Sequence, residues 1–127
     1  MNRVSITHMN NKHNDWLRAL DFYKDELGIM KGRLTEIAGK NTAPDTMKQI
    51  EHFENQIKVQ INNVDGLSHS IRENIALAGV QAGENSAGYI DSKLLTQHDH
   101  LGVTFYAEEK IFNQIRQEFN QFAAAWM

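Results

Sequence analysis

The sequence predicts an all-α fold, an up-down-up bundle of three long helices built as one domain over residues 1–127. Three observations predict it. Apolar residues recur at alternating steps of three and four over runs of about thirty residues, the spacing that lines one face of a helix. The chain of 127 residues has a single proline, Pro44, in a loop-like stretch. Only two places, one near Gly39 to Asp45 and one at Gly79 to Gly88, read as connections. With 41% hydrophobic and 23% charged residues the composition is globular rather than disordered, and the length supports a real core.

The first helix carries the seam Met9, His13, Trp16, Leu20, Tyr23, Leu27, Met30, Leu34, Ile37, interrupted only by His13. Gly39 follows the last periodic residue, where a left-handed glycine ends many helices. The second helix is expected to start at Thr42. Thr42-Ala43-Pro44-Asp45 resembles a capping box with Asp in place of Glu, and Pro44 in the first turn loses no helical hydrogen bond. Its seam runs Ile50, Phe53, Ile57, Gln60, Val64, Leu67, Ile71, Asn74, Ala78, Gln81, with Ile61 and Ile75 beside it.

Asp65-Gly66 is the one place where that helix could turn, which would give a four-helix bundle with a break near Gly66. A turn would reset the phase, yet Ile50, Ile57, Val64, Ile71 and Ala78 keep seven-residue spacing straight through. One long helix tolerating a glycine, at about 1 kcal/mol, is therefore expected. The last helix starts between Ser86 and Thr96. Its seam, Leu94, His98, Leu101, Phe105, Glu108, Phe112, Ile115, Phe119, Phe122, Trp126, is the most regular in the chain. Three such helices, joined by short connections, must alternate in direction.

The polar residues that interrupt the seams fall at matching depths. At 1.5 Å rise per residue, His13, Asn74 and His98 lie about 26, 29 and 27 positions from the same end, within roughly 5 Å of one level. Tyr23, Gln60 and Glu108 lie about 16, 15 and 17 positions down and form a second level. Buried polar layers of this kind fix register and helix pairing.

Metal binding is a sharper reading of the same residues. Asp65, His69 and Glu73 share one helix face, and the depth of His69 matches that of His13 and His98. Imidazoles and carboxylates on facing helices are how bundles hold zinc or iron, so the candidate ligands of a divalent metal are His13, His69, Glu73 and His98. The repeated Glu-x-x-His pairs of di-iron bundles are missing, and an i, i+4 His-Glu pair is commonly a helix-stabilising contact. Of His98 and His100, about 200° apart on a helix, only His98 faces the seam.

A catalytic reading would use Glu108, its charge disfavoured by burial, with hydrogen bonds from Tyr23 and Gln60. No nucleophile, phosphate loop or paired-carboxylate motif accompanies it. Nucleic acid is disfavoured by a net charge of -3 and scattered Lys and Arg. The absence of cysteine excludes disulfides and thiolate metal sites. No apolar run approaches the 18 residues of a membrane span and no signal-peptide core is visible, so a cytoplasmic protein is expected.

Several apolar residues fall outside the seams: Leu17, Ile29, Met47, Ile90, Leu95, Val103 and Ile111, with Tyr89 and Tyr106 as candidate exposed aromatics. They suggest a protein partner or a homo-oligomer, most simply a dimer. The function expected is thus a structural or protein-interaction module that self-associates, the alternative being a metal-binding bundle.

Three blocks, HNDWLRALDFYKDEL, EHFENQI and EKIFNQIRQEFNQFAAAWM, together resemble a family of small, uncharacterised bacterial α-helical proteins. The resemblance spans most of the chain but consists largely of helix-packing residues. It implies a bacterial, soluble helical protein, and carries no catalytic residue over to this sequence.

Overall fold

The computed structural model describes residues 6–84 and 92–126; the side chains of residues 6 and 81–84 also lie outside the description. It forms three helices, α1 (Ile6–Lys40), α2 (Pro44–Glu84) and α3 (Ser92–Ala124). Cross-helix pairs fix their directions. His13 meets His98 and Tyr23 meets Phe112, so α1 and α3 run parallel. Lys24 meets Asp65, and Phe53 meets Phe119, so α2 runs against both. This is the expected up-down-up bundle. α2 passes through Gly66 without a break, which excludes the four-helix alternative.

The core follows the heptad seams. Every seam residue of α1 from Met9 to Ile37 is buried, as are those of α2 from Ile50 to Ala78. In α3 the seam holds from Leu94 to Phe119 and then slips: Ala123 is buried, while Trp126 is 41% exposed. The cause is local. Beyond Ala124 the chain tightens, with Ala125 N–H donating to Phe122 C=O and Trp126 N–H to Ala123 C=O, three-residue bonds that rotate Trp126 off the seam.

The termini also differ in detail. Gly39 stays within α1 and is not left-handed, so Lys40 is the last helical residue and sits where a cation meets the negative helix end. α2 begins one residue later than the Thr42 cap would place it. Met47 N–H donates to Ala43 C=O, which makes Ala43 the cap and Pro44 the first helical residue. The Asn41 carboxamide oxygen accepts from Ala43 N–H, and Asp45 supplies the first-turn acid. At the other end α2 runs on through Gly79 and Gly83 to Glu84, absorbing half of the expected connection. Gly88, Tyr89 and Ile90, and the side chain of Gln81, lie outside the described residues.

Large rings fill the space between the parallel helices α1 and α3. Trp16 stacks on Phe105 at 5.8 Å and Tyr23 on Phe112 at 4.3 Å, with Phe105 and Tyr23 6.4 Å apart. Gly102 lets this ladder close, because a Cβ there would stand 3.2 Å from two Trp16 ring atoms. The core is nevertheless in two pieces. A main cluster runs from Trp16 to Ala123, and a small separate cluster joins Met9, Ala78 and Leu94 near the start of α1.

Candidate functional site

Between the two core clusters lies the histidine layer. Four residues after Met9 and Leu94 come His13 and His98, whose rings meet with Nε2 of His13 and Nδ1 of His98 2.9 Å apart. Such a contact needs one ring to donate an N–H and the other to accept on a lone pair. His98 also stacks on Trp16, centroids 5.0 Å apart. Both imidazoles are buried, His13 completely. Burial, with His98 beside it, pushes His13 down to about 4. Burial also lowers His98, opposed by Asp99 and reinforced by His8 and Lys12. Asn74 completes the level from α2, but its amide nitrogen reaches the Gln97 carbonyl oxygen at 3.4 Å rather than a histidine. His13 Nδ1, Asn74 Oδ1 and Asn10 Oδ1 are buried with no hydrogen-bond partner among the described residues. Sequence reasoning missed Gln97, which sits off the seam and reads as a solvated glutamine.

The second level lies deeper in the main cluster. The Gln60 amide nitrogen, turned toward the Glu108 carboxylate, donates to it. Burial raises the Glu108 carboxyl above its ordinary range. Tyr23 belongs to this level but does not serve Glu108. Its hydroxyl donates to the adjacent Glu109, 2.9 Å away. Burial first, and then this bond, raise the Tyr23 hydroxyl to about 12. A proton-transfer pair of Tyr23 and Glu108 is therefore not assembled. Glu109, one residue off the seam and half-buried, carried no signal in the heptad pattern.

The four metal candidates separate into two pairs. His13 and His98 face each other in the core. His69 and Glu73 pair on the surface, Nε2 to Oε1 3.0 Å, with 75% and 65% of their side chains exposed. The reason is angular: position 69 lies between the buried Ser68 and Ile71 but turns outward, so equal depth does not mean a shared direction. Among the described residues no group of three or more His, Asp or Glu side chains converges as a metal site would require. Asp65, the third member of that face, instead binds Lys24 at 2.9 Å.

A third feature is the face shared by α2 and α3. Val59, Asn63, Gly66, Ser70, Glu73, Leu77 and Val80 follow steps of four and three, so they line one side of α2. Two grooves mark its ends. One, of about 350 Å³, lies between Val59 and Ile111; the other, of about 500 Å³, is bordered by Leu77, Leu101 and Asn74. Val59, Leu77, Val80 and Ile111 are 53%, 50%, 59% and 39% exposed. None of the residues lining either groove is a lysine or arginine. Charge concentrates instead on α1, which carries Lys12, Asp15, Arg18, Asp21, Lys24, Asp25 and Glu26 in succession. At the middle of the face, a Cβ on Gly66 would meet nothing within 4 Å.

Other exposed apolar residues lie away from this face, Phe22 (47% exposed) among them on α1. Ile29 and Val103 stand on separate helices, 57% and 70% exposed, and Tyr106 is 55% exposed against Phe105. No described helix is long and apolar enough to cross a membrane. No protein-family model, no curated protein and no solved structure matches the chain.

Proposed function

We propose that this chain is a self-associating interaction module whose α2–α3 face pairs with the same face of a second copy. The observation that carries the reading is the distribution of residue types along that face. Apolar side chains stand at both ends, Asn63, Gly66 and Ser70 stand between with Glu73 the one charged residue of the α2 row, and lysine and arginine are absent from the lining of both grooves. Interface centres are depleted in charge in this way.

The pattern is self-complementary. A two-fold axis through the middle, near Gly66 and Ser70, brings the Val59–Ile111 end of one copy onto the Leu77–Val80 end of the other. Gly66 and Ser70 let the helices approach closely at the axis. The face from Asn55 to Val80 is roughly 38 Å long at 1.5 Å per residue and two helices, about 20 Å, wide. That is about 750 Å² per copy, near the ~800 Å² of a stable, standard-sized interface. An acidic partner would find no lysine or arginine in the lining of either groove, whereas a second copy meets a surface of its own polarity.

Sedimentation equilibrium from about 1 to 500 µM tests this. The wild-type chain is expected to dimerise, and Val59→Glu/Leu77→Glu to stay monomeric with an unchanged helical circular dichroism spectrum. Ile29→Glu and Val103→Glu, on other faces, should dimerise like the wild type. A wild-type monomer throughout that range, or equal loss in all variants, overturns the reading.

A further inference from the structure

We propose that the His13–His98 pair is a proton-operated latch: while both rings are neutral it holds the Met9–Ala78–Leu94 end of the bundle closed, and protonation releases that end alone. The proposal is independent of the α2–α3 pairing.

The geometry separates this end from the rest. Met9, Ala78 and Leu94 form their own small cluster, and the histidine level lies between it and the main core. Among the described residues, three buried apolar side chains pack this end, against the long aromatic ladder of the middle. The ring-to-ring bond at 2.9 Å and the stacking of His98 on Trp16 are, among the described residues, what joins that cluster to the body. Local openings begin where apolar burial is sparse.

The chemistry of the pair makes the closure sensitive to protons. The bond uses one N–H and one lone pair. A first proton leaves the bond intact but places an imidazolium in a site where His13 is 0% and His98 8% exposed. A second proton removes the lone pair and sets two cations against each other. The described surroundings do little to accept the charge. α1 contributes His8 and Lys12, which oppose it, and α3 contributes Asp99, which among the described residues is the acid acting on His98. α2 meets the level with the neutral amide of Asn74, and Glu73 and His100 border the groove outside it.

The direction follows from linkage. Both histidines are held below their ordinary value, so the opened end binds more protons than the closed end in the acid range. Closure is complete above the ordinary histidine value and weakens as pH falls toward about 4, the value of His13. The opening equilibrium at this end should rise by about two orders of magnitude between pH 7 and pH 4.

The test is hydrogen exchange resolved by residue on the full chain, corrected for intrinsic rates, at pH 7, 5.5 and 4. Amides around His13 and His98 should lose protection by about 100-fold, while those around Leu27, Leu34 and Phe112 keep theirs. In His13→Leu/His98→Leu the pH dependence at that end should vanish. Uniform loss along the bundle, or an unchanged dependence in the double variant, overturns the proposal and assigns the effect to carboxylates. Should that variant not fold, an NMR titration of the two rings in the wild type decides. His13 must remain neutral at pH 5.5 and His98 must titrate below its ordinary value, and either ring titrating at or above 6.5 in the closed protein overturns the latch.

Discussion

Tyr23 illustrates how a single side chain divides its duties. Its ring lies 4.3 Å from that of Phe112 and belongs to the core, while its hydroxyl reaches the edge of the bundle and finds Glu109. Glu109→Gln removes the carboxylate that holds the phenolic proton, so Tyr23 should ionise nearer 10 than the present value of about 12. Absorbance at 295 nm against pH reads this, with Tyr23→Phe identifying the Tyr23 step. Tyr23→Phe should cost about 1 kcal/mol, one net hydrogen bond. Gln60 and Glu108 form a deeper pair. Burial holds the Glu108 carboxyl high, so its favourable share of stability is present at low pH and lost as pH rises through its own titration. Gln60 offsets part of that loss by donating to the ionised form. Gln60→Leu should therefore cost about 2 kcal/mol where Glu108 is ionised, and clearly less at pH 3, where it is protonated. Denaturant unfolding at the two pH values checks it.

Within the helices, glycine separates local preference from packing. Gly28 and Gly32 sit inside α1, and a Cβ added at either would meet nothing within 4 Å, so alanine there only restricts the unfolded chain and improves the helix. Each change should stabilise by about 1 kcal/mol and raise the melting temperature by roughly 4 °C. Gly102→Ala gains the same helical preference but must displace the Trp16 ring, whose atoms lie 3.2 Å from the added carbon. It should melt below both α1 variants in calorimetry, and the gap measures the tightness of the α1–α3 ladder. The unbroken course of α2 has the same origin. The apolar period continues past Gly66, and burial of Val64, Leu67 and Ile71 outweighs the roughly 1 kcal/mol that the glycine costs.

At the scale of the molecule, the two clusters predict two kinds of damage. Phe112 is 1% exposed in the main cluster, and Phe112→Ala should lower global stability by about 3–5 kcal/mol. Leu94 is equally buried, but in the small end cluster. Leu94→Ala should mainly speed exchange near Met9 and Leu94, with a smaller fall in the global transition. Hydrogen exchange and denaturant melts on the two variants tell these outcomes apart. Equal global losses would mean that the ends and the middle unfold as one unit.

Which residues are buried could be read directly from the chain. The seams of α1 and α2 name their core almost without exception, His13, Gln60 and Asn74 included, because burial along a straight helix repeats with the helix's own period. The depths of the polar levels could be read too, since rise per residue is constant. Partners were another matter. Tyr23 takes Glu109 rather than Glu108, Asn74 takes Gln97 rather than a histidine, and His69 turns outward at the depth of His13. Each choice depends on how far one helix is rotated and shifted against its neighbour, and one residue moves a side chain by 100° around the axis. Periodicity belongs to each helix alone. Pairing belongs to their docking, where ring size between α1 and α3, the missing side chain at Gly102 and the tightened turn after Ala124 set the final geometry.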